Sequence, residues 1–234
     1  MTAGTMVRPS TLTRIALWLS LLMMTGSATF LIRHYTDLPE ILPVHFNRYG
    51  FPDGWQYKTP ARVLLPVFVQ IALVLTFGAV SLLLLSRPHG DLDRDAPDVR
   101  AATAAAEAIA LIALVWVAFQ AYAAFALAGM WQRERAGLGV FYTILEITGI
   151  VASILVFVRA RIRLGRPEPR PFNADHWRFG QLYRNPDDPA LFVPTRDGSR
   201  WTLNFGRPVA AALMGIILAA GIVGPVVILR LLLR

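Results

Sequence analysis

Long apolar segments dominate the chain and alternate with shorter polar ones. Five of them, each of about 18 to 23 residues, are long enough to cross a hydrocarbon core of roughly 30 Å as helices. The pattern predicts an all-α integral membrane protein, a bundle of about five transmembrane helices. The segments run from Ile15 to Ile32, Val63 to Leu85, Ala108 to Met130, Leu138 to Val158 and Val209 to Leu229.

The first apolar segment also fits a secretory signal peptide. Arg8 and Arg14 precede it, and the small residues of Gly26–Ala28 resemble a cleavage site. The apolar run continues through Ile32, beyond that site, and a membrane span is therefore the favoured interpretation.

Composition agrees with a membrane protein. Hydrophobic residues make up 55% of the 234 residues, charged residues only 16%, and the mean hydropathy is +0.49. The chain has no cysteine, which excludes disulfides, a thiol nucleophile and cysteine-bound metals. The formal net charge of +8 favours membrane lipids with anionic headgroups as partners, and no nucleic-acid partner is expected.

Basic residues are distributed unevenly across the predicted topology. Residues 1–14, 86–107 and 159–208 share one side, which holds about 15 basic residues against about 8 on the other. The positive-inside rule makes that side cytoplasmic, with the amino terminus inside and the carboxyl terminus outside. Arg230 and Arg234 oppose this orientation, but the larger group outweighs them.

The topology divides the chain into four parts. Residues 1–85 form an amino-terminal membrane domain with an outer loop at 33–62, and residues 86–158 form a central helix pair. Residues 159–208 form a basic cytoplasmic loop, and residues 209–234 the last transmembrane helix. The acidic run 91–98 between the second and third spans fits a solvated connector better than a divalent-ion site, because it lacks the spacing of an EF-hand.

The outer loop has the composition of an ordered extracellular loop. It contains six aromatic residues and several prolines, which supply area for burial and restrict the unfolded chain. Pro52-Asp53-Gly54 predicts a turn, and Thr59-Pro60 predicts a helix cap followed by a first-turn proline. We expect the loop to fold onto the mouth of the bundle.

Several outer-loop side chains are candidates for function. His45 with Asp37, Glu40 and Asp53 has the composition of a metal or acid–base cluster, although no zinc motif has this spacing and a hydrogen-bonded structural histidine is the simpler interpretation. The alternative is a rigid aromatic surface that binds a peptide or a lipid headgroup. The predicted ligand-binding residues are His45, Phe46, Asn47, Asp53 and Trp55.

The outer loop also carries motifs of a known family. Leu38-Pro39, Ile41 to Asn47, Gly50, Pro52-Asp53, Trp55 and Lys58 resemble the amino-terminal domain of unknown function of the SdpI family. Its members are bacterial multi-pass membrane proteins, named for an immunity and signalling protein against a secreted toxin. The resemblance covers roughly residues 15 to 85 and implies the bacterial cytoplasmic membrane.

The basic loop begins with four arginines at a helix end. Arg159, Arg161, Arg163 and Arg166 are expected to contact anionic lipid headgroups, and nucleic acid is the weaker alternative. Prolines from Pro167 onward end the helix.

A small β-hairpin is predicted within the same loop. Leu191 to Thr195 and Arg200 to Phe205 flank an Asp-Gly turn. Around it, Tyr183-x-Asn185-Pro186-x-Asp188-Pro189 and Trp201 to Pro208 resemble a small domain of unknown function in bacterial membrane proteins, over about residues 176 to 208. His176, Asn185, Asp187 and Asp188 have metal-binding side chains, but Asn-Pro-Asp-Asp-Pro is first a turn.

Polar side chains recur inside the apolar segments, where they are costly. Counted from the outer ends, Thr25, Gln70, Gln120 and Glu146 fall on the order of 10 to 15 Å deep. Such a layer serves either as structural glue between helices or as a site for an ion or substrate. Glu107 lies near the inner end of the third segment, where a negative side chain stabilises the amino terminus of a helix. This effect is enough to explain its presence.

The last segment repeats small residues at Ala211, Gly215 and Ala219, which favours close packing on a neighbour or a second copy of the chain. No nucleophile elbow, zinc-protease motif, phosphate loop or dinucleotide fingerprint is present, so no enzyme, catalytic residue, metal or cofactor is predicted.

The sequence favours a non-enzymatic receptor, signalling or immunity protein that binds an extracellular peptide and meets a cytoplasmic protein partner. The alternatives are a small proton-coupled transporter using Glu146, and a metal-dependent membrane enzyme around His45 and Asp53.

Overall fold

The computed structural model describes residues 5–47, 51–87, 96–133, 137–167 and 170–233, which are mostly helical. The helices are α1 (Thr11–Arg33), α2 (Pro60–Val63), α3 (Leu65–Leu85), α4 (Pro97–Arg133), α5 (Val140–Leu164) and α6 (Pro208–Leu233). The strands are β1 (Thr5–Met6), β2 (Ile41–Phe46), β3 (Pro52–Tyr57), β4 (Ser86–Arg87), β5 (Trp177–Arg178), β6 (Leu182–Tyr183), β7 (Phe192–Pro194) and β8 (Trp201–Leu203).

Four of the described helices, α1, α3, α4 and α5, are long and apolar enough to cross a membrane. In α6 the continuous described apolar stretch is Pro208–Ala219, which is shorter. The described residues therefore give a membrane protein with four candidate spans, and the fifth predicted span, Val209 to Leu229, is not confirmed.

Helix α4 differs most from its predicted bounds. It begins at Pro97, well before the apolar segment that starts at Ala108. A proline fits the first turn of a helix, and the alanine-rich run that follows has high helix propensity. The apolar segment therefore marks the span and not the start of the helix.

Short antiparallel sheets of two strands complete the structure. They pair β1 with β4, β2 with β3, β5 with β6, and β7 with β8. The hairpin predicted around the Asp-Gly turn is confirmed as β7 and β8, in which Phe192 pairs with Leu203 and Pro194 with Trp201.

The chain divides into two compact units. The first contains the described residues of Met1–Arg14, Thr76–Leu111 and Leu155–Gly224. Its core joins helix residues such as Leu84, Ala106 and Leu213 to Leu191, which precedes β7. The small β domain, defined here as residues 174–206, is therefore anchored by an apolar side chain on helices of its own unit.

The second unit contains the described residues of Ile15–Leu75, Ile112–Ile154 and Pro225–Arg234. Its core packs Leu42 of β2 against Leu31, Val63 and Trp131. The start of α2 is as predicted: the Thr59 Oγ1 accepts a hydrogen bond from the Arg62 amide at 3.3 Å, and Pro60 occupies the first turn. The acidic run 91–95 and Gly50 lie outside the described residues.

Candidate functional site

The segment between α1 and α2 forms a two-stranded hairpin. Ile41 pairs with Tyr57 and Pro43 with Trp55, and the register then shifts around His45, which lies opposite Gly54. The predicted turn at Pro52-Asp53-Gly54 is wrong, because these residues begin β3. The prolines mask the alternation of a strand in the sequence, since proline is uncommon inside sheets.

Asn47 lies at the turn of this hairpin. Its amide donates to the Phe51 carbonyl at 2.9 Å, and its Oδ1 accepts from the Phe51 amide at 3.1 Å. Asn47 thus has the contacts of a turn former, and its role in ligand binding stays a prediction. Phe46 is half-buried and packs toward the core.

The outward side of the hairpin carries three large apolar side chains. Ile41, Trp55 and Tyr57 are 53%, 58% and 74% exposed. We call this set the aromatic face. Together with Gln56 and Arg62 it lines a surface depression of about 380 Å³. Of the three residues of the aromatic face, only Trp55 is among the predicted ligand-binding residues. The period-two spacing of Asp53, Trp55 and Tyr57 is the sequence signal that places Tyr57 on the same side of the strand.

His45 and Asp53 form an exposed pair beside the aromatic face. The His45 Nδ1 and the Asp53 Oδ1 are in hydrogen-bond contact. Asp37 pairs instead with His34 at 3.1 Å, and Glu40 with Lys58 at 3.3 Å. Within the described ranges no three His, Asp or Glu side chains are grouped to hold a metal, so the four predicted residues do not form one cluster.

The inward side of the hairpin is fixed to the helices. Leu42 is fully buried, and the Trp131 indole donates to the Pro43 carbonyl at 3.0 Å. Lys58 is nearly buried and its Nζ donates to the Leu38 carbonyl at 2.8 Å. These contacts hold the described residues of the hairpin on the helices and fix the aromatic face in one orientation.

The predicted intramembrane layer is only partly assembled. Gln70 is fully buried, and its Nε2 donates to the Ser27 Oγ at 3.2 Å and to the Val117 carbonyl at 3.0 Å. Thr25 is exposed and donates to Leu21 of its own helix, while Glu146 is exposed on α5. Gln120 is half-buried. Among the described side chains, no hydrogen bond joins any of these three to Gln70.

Two of the four arginines predicted to contact lipid headgroups have a partner within the protein. Arg159 donates to the Glu107 Oε1 at 2.6 Å, and Arg163 donates to the same oxygen. Ser10 donates to the other oxygen, Oε2, at 2.7 Å. We call these four residues the Glu107 cluster. Arg161 and Arg166 are exposed and remain suited to lipid headgroups.

Glu107 differs from its predicted role. It lies in the interior of α4 and its side chain is 3% exposed, so charge at a helix amino terminus does not explain it. A buried carboxylate needs cationic or hydrogen-bonding partners, and the cluster supplies three. The i, i+4 spacing of Arg159 and Arg163 is the sequence signal that matches one carboxylate to two arginines.

The small β domain is organised around Asn204. Its Oδ1 accepts from the amides of Asn185 and Gly206 at 3.0 and 2.9 Å. Its Nδ2 donates to the carbonyls of Asn185, Asp188 and Ala190 at 2.8 to 3.2 Å. Five hydrogen bonds thus satisfy one fully buried amide, and the Asn-Pro-x-Asp-Pro motif supplies three of the five backbone groups that it binds.

Asp188 has a structural environment and not that of a metal ligand. Its Oδ2 accepts from Arg170 at 2.9 Å and from the Tyr183 hydroxyl at 3.1 Å, and its Oδ1 accepts from the Ala190 amide. Burial, together with Asp188, raises the pKa of Tyr183. At the β7–β8 turn, hydrogen bonds from Ser199 and Thr195 hold the pKa of Asp197 below its usual range.

Two stretches of the chain match known families. Residues 21–69 match a domain of unknown function (DUF1648), and residues 186–210 match a family of unknown function (DUF5808). Comparison with curated proteins and comparison with solved structures give no match.

The first match runs from within α1 to the start of α3, and the second runs from the turn before β7 to the start of α6. The DUF1648 stretch contains the whole hairpin, and the DUF5808 stretch contains Asn204 and Gly206. With the apolar helices, they fit a multi-pass membrane protein that carries domains of unknown function. They do not extend to the SdpI family itself, which stays a prediction.

Proposed function

We propose that this is a non-enzymatic bacterial membrane protein of the receptor, signalling or immunity type, which binds an extracellular peptide at the aromatic face. The single observation that carries the proposal is the exposure of Ile41, Trp55 and Tyr57 together on one side of an anchored hairpin.

Physical chemistry supports a recognition role for this face. Aromatic side chains dominate binding hot spots because they bury a large area at a small cost in conformational entropy. The hairpin is held by Leu42, Lys58 and Trp131, so its face is ordered before a ligand arrives. The exposed His45–Asp53 pair adds polar groups at the rim.

The orientation follows from charge. We infer five spans in the cytoplasmic membrane, with α6 as the fifth, the hairpin outside and the small β domain inside with a cytoplasmic protein partner. Ala211, Gly215 and Ala219 are exposed on α6 and are available to a second copy of the chain.

The geometry favours the two alternative functions less. A proton-coupled carrier built on Glu146 requires that residue beside Gln70 and Gln120, whereas Glu146 is on the exposed surface of α5. A metal enzyme around His45 and Asp53 requires at least a third ligand, and the described residues contain no such group.

The test compares a deletion strain with complemented strains under challenge by secreted peptides. Trp55→Ala and Tyr57→Ala are each expected to reduce protection or signalling at least tenfold, because hot-spot aromatics contribute about 2 kcal/mol or more. Trp18→Ala is the matched control, since Trp18 is 73% exposed but lies on α1. Membrane abundance is measured for every variant.

Two outcomes oppose the proposal. Unchanged protection in Trp55→Ala at normal abundance removes the role of the aromatic face. Reduced abundance with normal protection per molecule means that Trp55 anchors the hairpin at the membrane interface, as tryptophan often does.

A further inference from the structure

A cavity of about 100 Å³ lies between the hairpin and residues of α2, α3 and α4, next to the depression of the aromatic face. Its lining is mostly apolar and includes Pro43 and Phe46 of β2 with Leu127 and Trp131 of α4. An apolar cavity of about 150 Å³ takes up benzene, so this one matches a group of about four carbon atoms. A leucine or isoleucine side chain has that size.

Gln56, a residue of this lining, carries a polar atom without a hydrogen-bond partner among the described residues. The Gln56 Oε1 is buried and accepts no hydrogen bond from the described residues. A buried acceptor left unsatisfied is destabilising, and native proteins rarely keep one without a reason. A ligand that carries an N–H donor next to its apolar group supplies the missing hydrogen bond to Gln56.

A charged side chain connects the cavity to the outer surface. Arg62 lines both the cavity and the depression of the aromatic face, and Gln56 lines both as well. The Arg62 guanidinium donates one N–H to the Tyr57 carbonyl at 2.8 Å. A guanidinium has five such donors, and its planar fork suits a carboxylate.

We infer that the cavity binds the carboxyl-terminal residue of a peptide, with an aliphatic side chain inserted beside Leu127, its N–H donated to Gln56 and its carboxylate held by Arg62. The inference rests on the proposed function, because the rest of the peptide then lies over the aromatic face. It restricts the ligands to peptides that end in leucine or a residue of similar size and shape.

The probe is N-acetyl-leucine, titrated by ligand-observed NMR against the full chain in phosphatidylethanolamine–phosphatidylglycerol nanodiscs. We expect a dissociation constant of the order of 1 mM, the usual range for a ligand of so few atoms. N-acetyl-leucinamide, which lacks the carboxylate, is expected to bind at least tenfold more weakly. N-acetyl-glycine, which lacks the side chain, is expected not to bind.

Protein variants test the same contacts. Leu127→Phe fills the cavity and is expected to abolish binding, whereas the matched control Leu75→Phe, at an exposed site, leaves it intact. Arg62→Gln is expected to remove the preference for N-acetyl-leucine over N-acetyl-leucinamide. Gln56→Met is expected to weaken the binding of both compounds by a similar factor.

Three results overturn the inference. The first is the absence of saturable N-acetyl-leucine binding. The second is binding that Leu127→Phe leaves unchanged. The third is broadening of Leu127 signals by spin-labelled lipid acyl chains that the probe does not displace, which makes the cavity a lipid site. Failure of the proposed function is distinguishable, because Trp55→Ala then leaves protection unchanged while the short probe still binds.

Discussion

A single glycine, Gly54, decides how closely the two strands of the hairpin approach each other. Gly54 lies opposite His45, and a Cβ atom built on Gly54 lies 2.9 Å from the His45 Cβ. Carbon atoms do not pack this closely, and the His45 Cβ is fixed to its backbone. The close approach of the two strands, and with it the position of the His45–Asp53 pair, therefore requires glycine at position 54.

Gly54→Ala is expected to separate the strands locally and to destabilise the protein by about 1 to 3 kcal/mol, the range of an overpacked site. Hydrogen exchange of the β2 and β3 amides measures the effect, and exchange is expected to accelerate there first. Gly129→Ala, where an added methyl group meets nothing within 4 Å, is the control and is expected to have no destabilising effect. Equal protection of the hairpin amides in Gly54→Ala and wild type contradicts the argument.

Asn204 has the corresponding role in the small β domain. Asn204→Asp keeps the size but replaces the Nδ2, which donates to three carbonyls, with an oxygen. Leaving those acceptors unsatisfied next to a buried carboxylate is expected to cost about 3 kcal/mol or more. Asn173→Asp is the matched control, because Asn173 is exposed and its Oδ1 accepts a hydrogen bond from the Asp175 amide, which an aspartate oxygen also accepts. Backbone chemical shifts of β7 and β8 report unfolding, and native shifts in Asn204→Asp count against this role.

At the scale of elements, the Glu107 cluster joins the start of α1, the interior of α4 and the end of α5. Ser10, which precedes α1, also accepts from the Thr13 amide at 3.1 Å, so one hydroxyl caps a helix and contacts the carboxylate. Glu107 is buried, while Arg159 and Arg163 are 46% and 44% exposed. The arginines therefore keep partial hydration while they neutralise a charge inside the helix bundle.

Glu107→Ala is expected to destabilise the protein by about 3 kcal/mol, at the low end for a broken buried ion pair because both arginines are half-exposed. Equilibrium unfolding in mixed micelles measures the loss. Arg161→Ala is the control, since it removes a neighbouring charge without touching the cluster. An Arg159→Ala/Glu107→Ala double variant less destabilised than the sum of the singles supports direct coupling, and strict additivity refutes it.

The elements that sequence analysis predicted well are those set by local chemistry. Hydropathy located the long helices, Thr59-Pro60 located the start of α2, and the Asp-Gly turn located the β7–β8 hairpin. Contacts between distant residues were missed, because Glu107 and Arg159 are 52 positions apart in the chain. The i, i+4 spacing of the arginines indicates that they share a partner, but no local pattern identifies the distant carboxylate.

Only part of the predicted intramembrane layer comes together in the structure, for a geometric reason. Counting residues gives the depth of a side chain but not the side of the helix on which it lies. At about 100° per residue, positions two apart point to nearly opposite sides. Thr25 is accordingly exposed, while Ser27 is buried and binds Gln70. Rotation is fixed by packing, which the hydropathy of a uniformly apolar segment does not encode.

At the scale of the whole molecule, the proposals depend on which regions face which side of the membrane. The chain has no cysteine, so a single introduced cysteine gives an unambiguous label. Thr36 lies just before the hairpin, Gln181 in the small β domain and Arg230 near the end of α6, and all three are exposed.

With a membrane-impermeant maleimide on intact cells, Thr36→Cys and Arg230→Cys are expected to react, and Gln181→Cys only after the membrane is permeabilised. Charge supports this result because the side with more arginines is retained in the cytoplasm. Labelling of Gln181→Cys on intact cells reverses the orientation and moves the aromatic face to the cytoplasm, where no extracellular peptide reaches it. If Thr36→Cys is labelled on intact cells and Arg230→Cys is not, α6 does not cross the membrane. The protein then has four spans, and the exposed small residues of α6 lie at the inner membrane surface.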